Sequence, residues 1–312
     1  MYVIIFFLSS LLLVGCQPNC YQFEPAITYC PPAKLIQRLP SPFPKLTKEE
    51  LASDWGKELY IGLHFGHDMD LYRAITAFKR ALIFIPPRDR RLQIEYQIVQ
   101  CYYLGAKYNE AIEAFDQSGL LNVPASFPVC QDLAVILYDC YFQTDQEEKG
   151  SRVLEMLKKM SPTKGTNVEL GEALQTGDFE TIQTLAPKTP ANASIQAFLD
   201  EYCCLSKSPQ KARLLNAFLP GAGYAYVGQK QAAFTSFAIN VLFTGAAYYF
   251  FRHENIPMGI ILASLESGWY IGGMNGAALA AKEYNERLYE SKGKEMMLCE
   301  KLFPVLMLET SF

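Results

Sequence analysis

The chain has 312 residues, half of them hydrophobic and 19% charged, with a net charge of −4. That length allows one or two domains, and the acidic balance excludes the basic footprint that nucleic-acid binding requires. Three histidines and nine scattered cysteines, with no CxxC spacing, give no reason to expect a metal centre or a cofactor.

Residues 1–15 are almost wholly apolar and end LLLVG before Cys16. The run is short for a bilayer span and fits the apolar core of a signal peptide. Leu13-Val14-Gly15-Cys16 resembles the lipobox of bacterial lipoproteins, although no Lys or Arg precedes the apolar run. The resemblance implies cleavage before Cys16, a lipid on its thiol, and a place in the bacterial cell envelope with the chain beyond it in the periplasm. Residues 16–46 carry seven prolines between Pro18 and Pro44. Proline removes backbone donors and fixes φ, so this stretch predicts an extended tether without helix.

Helix begins at Thr47, where Thr47 and Glu50 have the spacing of a capping box. From 47 to 205 the pattern reads as helix–turn–helix units, two well formed and two degenerate. Ala74 and Ala111 recur with a period in the mid-thirties, with the aromatics Phe78 and Phe115 one turn after each. Gly62 falls where two helices cross, Ala81 and Pro86 close the first unit, and Tyr108 belongs to the second. This pattern resembles the tetratricopeptide repeat. The resemblance implies a solenoid of stacked helix pairs with a surface for a protein partner. His64, His67 and Asp68 are expected at a turn, capping helices rather than binding metal. Cys203 and Cys204 are expected as small buried residues on a helix.

Residues 206–229 read as an interfacial helix, started by Ser208-Pro209, followed by a glycine-rich loop. The string PGAGYAYVG resembles P-G-x-G-x-x-Y-x-G, a motif of small two-helix bacterial membrane domains of unknown function. It is carried by Pro220, Gly221, Gly223, Tyr226 and Gly228, and it implies no activity. Within 230–281, apolar runs at 231–251 and 258–281 predict a transmembrane hairpin. Gly268, Gly272, Gly276 and Ala280 recur every fourth residue, a stripe suited to a helix partner in the bilayer. Glu266 inside the second run is expected to be protonated or hydrogen-bonded, with Asn240 or the tyrosines of the preceding loop as partner. Residues 282–312 read as a helical tail. Lys211, Arg213, Lys230, Lys282 and Arg287 flank the hairpin opposite its turn, and the positive-inside rule favours those ends in the cytoplasm. The lipobox favours the reverse, and the exported orientation is adopted.

The expected fold is therefore all-α, a repeat solenoid followed by a two-helix transmembrane hairpin. The expected function is that of a non-catalytic envelope adaptor, a lipoprotein that binds a protein partner through its repeats. One alternative is an accessory subunit of a membrane transporter or channel, resting on Glu266. Another is an outer-membrane assembly lipoprotein, resting on Gln17 after Cys16. No nucleophile–base pair is evident, so no enzyme is expected.

Overall fold

The computed structural model describes residues 23–124 and 126–312. The signal segment, the lipobox with Cys16, and Cys20 lie outside the described residues. The regular elements among the described residues are helices. The chain divides into two compact units, one built from Ala26–Ser206 with Leu288–Phe312, the other from Lys207–Arg287 with residues 23–25.

In the larger unit, α1 (Ala33–Ile36) and α2 (Lys48–Ala52) precede four helical pairs and a further helix. The pairs are α3 (Asp54–His67) with α4 (Leu71–Ile83), α5 (Arg88–Leu104) with α6 (Tyr108–Asp116), α7 (Cys130–Gln143) with α8 (Glu147–Met160), and α9 (Pro162–Thr176) with α10 (Phe179–Leu185). Then α11 (Asn192–Leu205) follows. Each helix from α3 to α9 packs on the next. The expected capping box is formed: Thr47 Oγ1 accepts from Glu50 N–H at 3.2 Å and Glu50 Oε2 accepts from Thr47 N–H at 2.8 Å.

The turns inside the four pairs share one construction. Met69, Ala106, Asp145 and Gly177 each sit in the left-handed region. In each case the next residue donates its N–H five residues back, to Phe65, Tyr102, Tyr141 and Ala173. This closes the first helix of the pair and satisfies an otherwise orphaned carbonyl. Packing follows the small-residue pattern. Ala74, Phe78, Ala81 and Ala111 are fully buried, and a Cβ on Gly62 would come within 2.5 Å of the Phe78 ring. Phe115 and Tyr108 are half-buried, and Pro86 is buried where α4 gives way to α5.

Residues 26–46 are not a free tether. Ile27 and Ile36 are buried, and Ala33–Ile36 is helical, contrary to the expectation from the prolines. Pro32 sits at the N-cap, where the missing N–H costs nothing. Arg90 fastens the segment to the pairs. Its guanidinium bonds Glu50 at 2.8 and 2.9 Å and the Pro44 carbonyl at 2.9 Å. Cys203 and Cys204 are exposed on α11, not buried as expected.

The smaller unit holds α12 (Pro209–Phe218), α13 (Ala222–Val227), α14 (Lys230–Arg252) and the start of α15 (Ile256–Cys299). Ser208 caps α12 with Pro209 at N1, as expected. The glycine-rich stretch is a six-residue helix, α13, rather than a loop. The second apolar run is the opening part of α15, one continuous helix of 44 residues.

Candidate functional site on the first helices of the pairs

The C-terminal segment departs most from expectation. Helix α15 stops at Cys299, Lys301 adopts a left-handed φ, and the chain continues to Phe312 with only a short 3-10 turn at Pro304–Met307. This segment crosses the first helix of every pair. The Leu302 carbonyl lies against Gly171 of α9, and the 3-10 turn packs on α7 and α9. Gln100 of α5 donates to the Thr310 carbonyl at 3.2 Å. The Phe312 ring fills the space over Gly66 of α3, which a Cβ there would occupy. Leu302, Phe303 and Leu308 are buried, and Phe303 stacks on Tyr29 with ring centroids 5.0 Å apart.

Asp132, at the start of α7, is the hub. Its carboxylate accepts from Glu309 N–H at 3.2 Å, Thr310 N–H at 3.0 Å and the Thr310 hydroxyl at 2.6 Å. Lys164 of α9 approaches it at 3.4 Å and reaches Glu309 at 2.9 Å. The buried charge is thereby countered and hydrogen-bonded, which makes it tolerable in the interior. Helix α5 carries Gln93, Gln97 and Gln100, all buried, of which Gln100 meets the segment and Gln93 accepts from Arg90. Both amide atoms of Gln97, Oε1 of Gln100 and Oγ of Ser311 have no hydrogen-bond partner among the described residues. The face is thus built to bond an extended backbone, and the resident segment leaves part of that capacity unused.

Further hollows lie elsewhere in this unit. A cleft of about 510 Å³ is walled by Tyr138, Tyr141 and the carboxylates of Glu169 and Glu172. Burial and the neighbouring Asp178 push the Glu172 carboxyl up, while Lys158 pairs with Glu169 at 2.7 Å. A smaller cavity borders Asp139. His64 and His67 end α3 as exposed partners of Asp68, at 3.7 and 3.6 Å.

In the smaller unit the glycine motif has a physical reading. Gly221 and Gly228 frame α13 with φ of 90° and 91°, which a side chain rarely adopts. Gly223 allows close approach to Ala212 and Ala277. Pro220 ends the stretch after α12, Asn216 accepts from Gly221 N–H at 2.8 Å, and Tyr226 accepts from Ser208 N–H at 3.3 Å. The buried Asn216 is a motif partner that the sequence pattern did not single out.

Helices α14 and α15 run side by side in opposite senses. Phe251 meets Gly259, Thr244 donates to Glu266 at 3.4 Å, and Ser236 lies beside Gly273. The partner of Glu266 is therefore Thr244 and not Asn240. Asn240 instead donates to the Ser236 carbonyl of its own helix at 2.6 Å, because one helical turn puts that carbonyl nearer. The predicted stripe divides: a Cβ on Gly276 would strike the Tyr224 hydroxyl, and Ala280 is buried, but Gly268 and Gly272 face open space among the described residues. Among the described residues, only α14, with a mean hydropathy of 1.3, is long and apolar enough by itself to cross a membrane. The opening of α15 carries Glu266, Asn275 and several glycines, which lower its hydropathy.

No protein-family model, curated protein or solved structure matches this chain.

Proposed function

We propose that the chain is a non-catalytic adaptor of the bacterial cell envelope. Its helical pairs, resembling tetratricopeptide repeats, hold an extended segment of a protein partner, and α14 with the opening of α15 anchors it as a membrane hairpin. The lipidated Cys16 supplies a second anchor. The observation that carries the reading is the seating of residues 302–312 across α3, α5, α7 and α9, fixed by Asp132, with Gln100 Oε1 unpartnered among the described residues. A face that grips one extended strand through backbone bonds is suited to grip another of like chemistry. The test uses a fluorescent peptide of residues 302–312 with the full chain in detergent micelles. Thr310→Ala combined with Phe312→Ala loosens the resident segment while leaving Asp132 and the face intact, and this variant is expected to bind the peptide about tenfold more tightly than the wild type, a difference of about 1.4 kcal/mol. Absence of binding to either would sink the partner-holding role.

A second reading, an accessory subunit of a transporter or channel, is favoured by one feature. Glu266 Oε2 is buried without a hydrogen-bond partner among the described residues. Glu266→Gln that assembles normally and abolishes ion or solute flux would select this reading, and unchanged flux would leave Glu266 as a clip to Thr244.

A further inference from the structure

We propose that the cavity beside Asp139 is a binding site for a small organic cation, an alkyl- or tetraalkylammonium group seated between aromatic rings and one buried carboxylate. The cavity holds about 230 Å³ and is walled by residues of the larger unit alone, among them Tyr29, Tyr103, Tyr108 and Phe303. Tyr103 and Tyr108 stand with ring centroids 6.2 Å apart at 57°, and Tyr29 stacks on Phe303. The walls are therefore rich in π-faces, which attract a desolvated cation by their quadrupoles.

Asp139 supplies the charge. Its side chain is buried, and its hydrogen bonds come from two neutral groups, the Tyr103 hydroxyl at 2.6 Å and the Gln143 amide at 3.3 Å. No Lys, Arg or His lines the cavity, and no cation pairs with Asp139 among the described residues. This sets it apart from Asp132 and Glu50, whose carboxylates meet Lys164 and Arg90. A buried carboxylate without a counter-charge is costly unless it is neutralised. Each oxygen accepts one protein hydrogen bond, so lone pairs remain for a donor entering from the cavity. The volume suits a small ion, not a peptide.

The cavity borrows Phe303, Pro304 and Val305 from the C-terminal segment, but the test reads ammonium binding to the wild-type chain with that segment seated, so its failure and the failure of the partner-holding role are distinguishable. Full-length protein in detergent is titrated calorimetrically with choline, with n-butylammonium, and with 3,3-dimethylbutanol, the uncharged counterpart of choline. Saturable binding of at least one ammonium, with none of the alcohol, is expected. Asp139→Asn, which keeps the shape and an acceptor for Tyr103, should weaken ammonium binding at least about tenfold. Tyr108→Leu, which removes a ring without touching the hydrogen bonds of Asp139, should weaken it as well, with circular dichroism confirming an unchanged fold. No heat with either ammonium, equal affinity for the alcohol, or undiminished binding by folded Asp139→Asn would each overturn the assignment.

Discussion

Asp132 accepts from two backbone amides and a hydroxyl of the C-terminal segment while pairing with Lys164. Truncation to Ala strands all of these groups, so Asp132→Ala is expected to destabilise the larger unit by about 3 kcal/mol. Chemical denaturation measures the loss, and hydrogen exchange should show the Thr310 amide deprotected. Asp139 carries the opposite sign of effect. Burial raises its pKa above the ordinary 3.8, so the folded chain holds a proton that the unfolded chain releases. Stability therefore falls as pH rises from 3.8 through the folded value, and the cost persists above it. Asp139→Asn removes that cost, and without added ammonium its Tm should exceed the wild type's at pH 7, the gap closing toward pH 3.8. Glu50 behaves conversely: the Arg90 hydrogen bond lowers its pKa, so its contribution is lost as pH falls through the folded value. Gly62, Ala74 and Phe78 were legible in the sequence because a small–aromatic pairing recurs with a short period. Asp132 was not legible, because the groups that explain it lie 177 and 178 residues further along.

Among elements, the packing of α13 on α15 separates glycines that the sequence treats alike. Gly268→Ala and Gly272→Ala are expected to change the stability of the isolated chain by no more than about 0.5 kcal/mol, since an added Cβ meets nothing. Gly276→Ala must displace the Tyr224 hydroxyl and should cost about 1–3 kcal/mol, measured by thermal melts in detergent. A four-residue recurrence says that a helix has a small face, but not which neighbour that face meets. The glycine motif fared better. Its Gly221 and Gly228 require φ near +90°, a constraint that acts within a few residues of chain, while Gly223 answers to Ala277 far along it. The hidden elements are those without periodicity. A proline-rich run such as 26–46 has no pattern that announces burial, and Ile27 and Ile36 found their places only through tertiary packing.

For the whole molecule, the larger unit is assembled from two pieces of chain separated by Lys207–Arg287. The all-α class and the succession of helix–turn–helix units could be read from hydrophobic spacing and turn signals. The return of the last residues to the first helices could not, because an extended segment leaves no helical period. Removing residues 302–312 uncovers the seats of Leu302, Phe303 and Leu308 and should cost on the order of 5 kcal/mol by their burial. A lowered denaturation midpoint would measure it, and an unchanged midpoint would mark the segment as a passive appendage. The position of this segment also sets a schedule. Translation delivers α3 to α11 first, then the whole of Lys207–Arg287, and only at the end the strand that covers the first helices. Until residues 302–312 emerge, Gln100 of α5 and the seats of Leu302, Phe303 and Leu308 stay uncovered and open to proteases and chaperones.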